Sequence, residues 1–183
     1  MGDAFAWLGK IFEWLGQWIP QWIIVDPTMG GVKCVKGNKR IIPIVPGVCW
    51  YWPATTTVKL YPTVRQADNL RTQTICTKDD KVIAVGGIII YEVIDVIALL
   101  TTNFEPIQTI NELALSAIHD VCCQLTWEEL KEQQRNGKLD RAMKSACFEA
   151  LKPFGVRVLK TMLTDLSPVR VLKVIQSVSK DEE

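Results

Sequence analysis

At 183 residues the chain is long enough for one domain with its own buried core and short extensions. Hydrophobic residues make up 48% and charged residues 22%, an ordinary globular balance, and a net charge of +1 excludes a global electrostatic pull toward nucleic acid. The charge is unevenly laid out. Residues 31–65 carry Lys33, Lys36, Lys39, Arg40, Lys59 and Arg65 with no acidic residue, whereas residues 1–30 set Lys10 against Asp3, Glu13 and Asp26.

The first predicted element is a helix in which Trp7, Trp14, Trp18 and Trp22 fall within the nineteen positions 4–22. At 100° per residue, Phe5, Trp7, Leu8, Ile11, Phe12, Trp14, Leu15, Trp18, Ile19, Trp22 and Ile23 share one arc. Asp3, Lys10, Glu13, Gln17 and Gln21 lie on the other half with Gly9, Gly16 and Pro20. Pro20 ends or kinks the helix near residues 17–19, leaving residues 22–25 as an extended apolar tail. A membrane-crossing helix needs about 20 mostly apolar residues, and here polar groups recur every third or fourth position. A helix docked on its own domain is the bland alternative. An anchor lying in the membrane plane fits the wide, Trp-rich face best. Burying half of the eleven side chains at about 1.5 kcal/mol each gives a gross gain on the order of 8 kcal/mol, above the roughly 5 kcal/mol of one myristoyl chain. The polar face is poor in Lys and Arg, so anionic lipid is secondary for the helix itself. Gly2 does not make a myristoylation motif, because Ala6 stands where Ser or Thr is needed.

Residues 26–31 read as a linker, followed by short β-like runs over 32–36, 39–45, 48–52 and 56–61. Longer runs over 70–77 and 82–94 are joined by the turn Lys78-Asp79-Asp80-Lys81, and Gly86-Gly87 predicts a bulge in the second. Helical spacing begins at Pro106, with Ile107, Ile110, Ala114, Ala117, Ile118, Val121 and Leu125 as its apolar stripe. Thr126-Trp127-Glu128-Glu129 is a capping box for the next helix, and residues 138–151 form a third. Residues 155–166 alternate as a returning strand. Ser167-Pro168 then caps a short helix carrying Val169, Leu172 and Ile175 as candidate oligomer contacts. Strands first, helices later and one strand returning make an α+β reading.

The residues 45–53 (VPGVCWYWP), 77–85 (TKDDKVIAV), 91–100 (YEVIDVIALL), 113–121 (LALSAIHDV), 125–130 (LTWEEL) and 154–168 (FGVRVLKTMLTDLSP) together resemble the SPFH or Band 7 domain. That group comprises stomatins, prohibitins, flotillins and bacterial relatives. The resemblance covers about residues 30–170. It implies a two-part α+β domain behind a membrane-inserting segment, homo-oligomerisation into rings or cages, and a role in organising membrane proteins or lipids. In such a placement Lys33, Lys36, Lys39, Arg40, Trp50 and Trp52 would lie next to headgroups, where each cation adds about 1 kcal/mol on an anionic leaflet. A solvated charged strand pair is the equal alternative. His119 and the Asp120-Val121-Cys122-Cys123 run depart from the family's usual pattern. The long coiled-coil helix common after the domain is not matched before Glu183, so a flat or shallow ring is expected rather than a tall cage, unless a longer subunit supplies the wall.

Catalytic chemistry is poorly provided for. There is one histidine, no Gly-rich phosphate loop and no HExxH, so no enzymatic activity, metal or cofactor is expected. His119 with Cys122 and Cys123 reads as an interface histidine beside packing cysteines. The sharp alternative is a thiol–imidazole pair or a metal half-site. The six scattered cysteines read as free thiols on a reducing, cytoplasmic side. Cys34 and Cys49 are candidate palmitoylation sites, with idle thiols as the alternative.

The segmentation that results is an anchor helix over 1–25, the α+β domain over 30–166, and a short C-terminal helix with an acidic tail over 167–183. The expected function is a membrane-anchored homo-oligomeric scaffold, with the bilayer, further copies and an integral membrane protein or longer SPFH subunit as partners. The rival is a single-stranded nucleic-acid module using the basic aromatic block 33–65, although no nucleic-acid partner is expected.

Overall fold

A computed structural model describes residues 7, 10, 14, 16, 18–37 and 40–169. Eight strands and four helices follow one another as β1 (Gln21–Val25), β2 (Met29–Val35), β3 (Arg40–Ile44), β4 (Gly47–Tyr51), β5 (Thr56–Pro62), β6 (Gln66–Cys76), β7 (Val82–Val93), α1 (Val96–Thr102), α2 (Pro106–Cys123), α3 (Trp127–Arg135), α4 (Lys138–Leu151) and β8 (Val156–Pro168). This is the α+β fold read from the sequence. Trp7, Lys10, Trp14 and Gly16 have helical backbone, and the chain turns at Trp18 and Ile19 before Pro20.

The strands form three antiparallel sheets, β1–β4, β3–β2–β5 and β6–β7–β8. The last is the platform of the core. Period-two alternation along β7 sends Ile83, Val85, Ile89, Tyr91 and Val93 to one buried face. Helices α2 and α4 cover that face with Ile110, Ala114, Ile118, Leu139, Met143 and Leu151, all fully buried. Each of the Ile, Leu and Met side chains contributes about 1.5–3 kcal/mol by leaving water. The β7–β8 register slips between Gly86 and Gly87, where the sequence predicts a bulge. A Cβ on Gly87 would sit 2.9 Å from the Met162 carbonyl oxygen, so the strands can approach there only without a side chain.

Local signals explain the helix ends. Thr126 Oγ1 accepts from the Glu129 N–H while the Glu129 carboxylate accepts from the Thr126 N–H, the reciprocal box the sequence predicts. Asp79 in the β6–β7 turn accepts from the Trp127 N–H at 3.0 Å and from Thr77 Oγ1 at 2.6 Å, tying the hairpin to α3. These bonds to the charged form hold its carboxyl down at about 2, the Thr77 hydroxyl being the largest influence.

Several expectations are corrected. Trp22 and Ile23, placed both on the helical arc and in the extended tail after Pro20, are extended, but as a paired strand and not as a tail. They lie in β1, paired with Trp50 and Cys49 of β4, because Pro20 cannot extend a helix and residues 21–25 find a ladder partner. Helix α1 was not anticipated: Asp95 caps it, its carboxylate accepting from the Ala98 N–H at 3.0 Å. Ser167 and Pro168 finish β8 instead of capping a helix, and the Val169 N–H donates to the Val82 carbonyl. On α2, Ile107 is 54% exposed, whereas Leu115 and Cys122 belong to the buried stripe.

Candidate functional site

Six of the seven tryptophans, Trp7, Trp14, Trp18, Trp22, Trp50 and Trp52, are each more than half exposed. Indole is a side chain that folded proteins normally bury to a large extent. All six lie within the first 52 residues.

The β1–β4 ribbon accounts for the arrangement of this surface. Its register pairs Trp22 with Trp50 and Ile24 with Val48. Alternation puts these four on one face, and each is about 60% exposed. Gln21, Ile23, Val25, Cys49 and Tyr51 take the opposite face, where Val25 is buried and the Tyr51 hydroxyl donates to Gln21 Oε1 at 3.1 Å. Trp18 and Ile19, just before β1, are also exposed, and the rings of Trp14 and Trp18 meet with centroids 6.0 Å apart. Val45 in the loop before β4 is 77% exposed, and Trp52 follows the strand. The exposed tryptophans thus comprise the Trp14–Trp18 contact before β1 and the Trp22–Trp50 pair on one face of the ribbon.

The basic block frames this surface. Lys33 Nζ donates to the Trp50 carbonyl, and Lys36 Nζ to the Pro53 carbonyl at 3.4 Å. Both ammonium groups are thus tethered beside the tryptophans on β4 and its following turn. Arg40 is exposed at the start of β3. Of the remaining anchor candidates, Phe5, Leu8, Ile11, Phe12 and Leu15 lie outside the described residues, as do Lys39, Leu172 and Ile175. Val169 is 36% exposed at the end of β8. Cys34 sits on central strand β2 packed against the core, and Cys49 is half-buried on the covered side of the ribbon.

The His119 region has different chemistry. Cys123 Sγ lies 3.5 Å from His119 Nε2 on α2, and Asp120 Oδ1 lies 3.5 Å from His119 Nδ1. Burial raises the Cys123 thiol pKa, and it pushes that of Cys122 up to about 11, both away from the thiolate form a nucleophile needs. Among the described residues no three His, Cys, Asp or Glu side chains are grouped to hold a metal ion.

Sequence reasoning missed a buried polar junction. Tyr91 on β7 donates to Asp68 Oδ2 on β6 at 2.9 Å, and its hydroxyl lies 3.4 Å from that of Tyr61 on β5. Burial raises the pKa of both phenols, so they remain neutral and the Tyr91 proton stays directed at the carboxylate. This bridge joins the β3–β2–β5 sheet to the β6–β7–β8 sheet. No local pattern announces it, since thirty residues separate the two tyrosines.

Among the described residues, no helix is long and apolar enough to cross a membrane. No curated protein matches the chain. The family model described as SPFH domain / Band 7 family matches residues 23–182, beginning within β1 and taking in β2 to β8 and helices α1 to α4. The chain belongs to the SPFH domain / Band 7 family.

Proposed function

We propose that the protein is a membrane-anchored, homo-oligomeric scaffold that organises a membrane patch or proteins within it. Its family consists generally of membrane-associated scaffolds. The observation that carries the reading to this chain is the ribbon face of Trp22, Ile24, Val48 and Trp50, each about 60% exposed, with Trp14 and Trp18 also exposed a few residues before β1. Contiguous exposed apolar surface of this kind marks an interaction site. Its indole content suits the interfacial zone of a bilayer, where one edge of the ring is apolar and the N–H stays wet.

The mechanism is adsorption of the N-terminal helical segment and the ribbon into the headgroup boundary, with Lys33, Lys36 and Arg40 held over the phosphates. Confinement to a plane raises the effective concentration of neighbouring domains and favours lateral assembly. The domain then stands on the cytoplasmic, reducing side, which suits six free thiols.

Flotation of the full chain with neutral phosphatidylcholine vesicles tests the reading. Replacing Trp18, Trp22 and Trp50 by Ser is expected to release the protein while its far-UV circular dichroism is unchanged, and 1 M salt is expected to weaken binding only modestly. Undiminished flotation of the triple variant, or complete loss of wild-type binding in salt, would show that the tryptophans are not the anchor.

A further inference from the structure

A second open surface lies away from the ribbon, in a cleft of about 810 Å³ between β5, β6, α2 and the α1–α2 loop. Its apolar walls include Leu60, Leu100, Phe104, Ile107 and Leu115. Phe104 is 89% exposed at its lip. Three consecutive β5 residues, Lys59, Leu60 and Tyr61, line it. Neighbouring side chains of a strand point to opposite faces, so three in a row mean that β5 turns its edge to the cleft.

The hydrogen-bond phase of the sheet identifies what that edge offers. The Thr63 N–H donates to the Thr28 carbonyl and the Lys36 N–H to the Thr55 carbonyl, both directly opposite pairs in the β2–β5 register. Odd-numbered residues of β5 therefore direct their backbone groups at β2, and Val58 and Leu60 direct theirs away. Among the described residues β5 pairs with β2 alone, so the Leu60 N–H and C=O face the cleft without a strand partner. Asn111 Oδ1, also in the cleft wall, is buried and accepts no hydrogen bond. Of the four charged residues lining the cleft, Arg71 and Glu112 pair at 3.0 Å, and Lys59 and Glu105 are one cation and one anion, so the lining carries no net charge.

The opposite edge of the same sheet is closed by contrast. Because even-numbered β2 residues face β5, odd-numbered ones face β3, pairing through Ile44, Ile42 and Arg40. Pro43 therefore stands in the outward phase, where it offers no N–H and blunts the edge against further pairing. On β5 the outward phase also ends in a proline, Pro62, whose carbonyl accepts from Gln66 Nε2 at 3.1 Å, so the open stretch of that edge is Val58 and Leu60. Beside Leu60, within that stretch, lie an apolar trough and the orphaned Asn111 acceptor.

We propose that this cleft receives an extended, uncharged segment of a partner polypeptide, added to β5 as a further strand. Only a polypeptide backbone supplies both an acceptor for the Leu60 N–H and a donor for its C=O at strand spacing, and a following N–H can satisfy Asn111. Apolar side chains on alternate residues would fill the trough between Phe104, Ile107 and Leu115. The proposal is independent of membrane binding, so its test needs no vesicles.

The test is amide hydrogen exchange of the full chain in detergent, with four acetylated nonapeptides that alternate Thr with Val, Leu, Ile or Phe as probes. At least one peptide is expected to slow exchange at Leu60 by tenfold or more at saturation. The same peptide N-methylated along one edge should give no protection. Phe104→Ala is expected to weaken binding about tenfold, and Leu60→Pro, which removes the outward donor without taking one from the β2 ladder, to abolish it. Unchanged exchange at Leu60 with all four peptides at millimolar concentration, or equal binding of the N-methylated peptide, overturns the proposal. Protection at Leu60 that appears without peptide and disappears on dilution also overturns it, because the occupant is then a second copy of this chain.

Discussion

The β6–β7–β8 sheet and the β1–β4 ribbon are built from similar β-branched and aromatic strands, yet one is covered and the other bare. Ile83, Ile89 and Tyr91 are fully buried under α2 and α4. Trp22, Ile24, Val48 and Trp50 are about 60% exposed, with none of the described elements over them. Apolar alternation alone therefore does not say what a strand face is buried against. In the first region the later helices supply the cover; in our proposal the bilayer supplies it in the second.

Substitutions can break this comparison. The largest effect is expected in the core, where Ile118→Ala removes a fully buried side chain between α2 and the sheet. It is expected to cost about 2–5 kcal/mol, read as a lowered denaturant midpoint. On the ribbon, Trp22→Ser with Trp50→Ser is expected to leave that midpoint within about 0.5 kcal/mol, as surface changes do. The same pair is expected to reduce vesicle partitioning at least tenfold, since each indole carries more than 1.4 kcal/mol of transfer free energy at even partial burial. A double variant as unstable as Ile118→Ala would mean the ribbon face is core, and the distinction would fail.

The junction between the regions gives a smaller effect. Tyr91→Phe removes the hydroxyl shared by Asp68 and Tyr61 and leaves a carboxylate without its donor. A cost of roughly 1–3 kcal/mol is expected, with hydrogen exchange rising first along β5 and β6. Unchanged stability would show that the bridge does not hold the two sheets together.

The smallest effect concerns pH. The Asp79 carboxyl is held at about 2 in the fold, below its ordinary value. Its contribution is fully present above about pH 4 and is lost as pH falls through about 2. Asp79→Ala is expected to lower stability slightly at neutral pH, because the bonds to Thr77 and Trp127 are lost, and to match the wild type as pH falls through about 2, where that carboxyl is protonated. The group is exposed, so a pronounced destabilisation at neutral pH would contradict this account.

Features fixed by neighbours in sequence were legible in it. The capping box at Thr126 and Glu129, the Lys78–Lys81 turn and the Gly86-Gly87 bulge are local chemistry, and the family resemblance carried the domain as a whole. Features fixed by distant pairing were not. Residues 21–25 read as a tail because their ladder partner lies on β4, beyond two intervening strands. Helix α1 was hidden because Val96 and Ile97 extend the β-branched pattern of β7, leaving Asp95 as the single helix signal. The aromatic content of the candidate site was visible from residues alone, but the shared face of Trp22 and Trp50 required the register.

The most direct measurement is fluorescence of a full-length variant that keeps Trp50 as its one tryptophan, the others replaced by Phe, on vesicles containing brominated lipid. The account predicts that Trp50 emission shifts to the blue on binding and is quenched by bromines near the headgroup end of the acyl chains. A protein that floats with the vesicles while Trp50 keeps the unquenched emission of a water-exposed indole would contradict it.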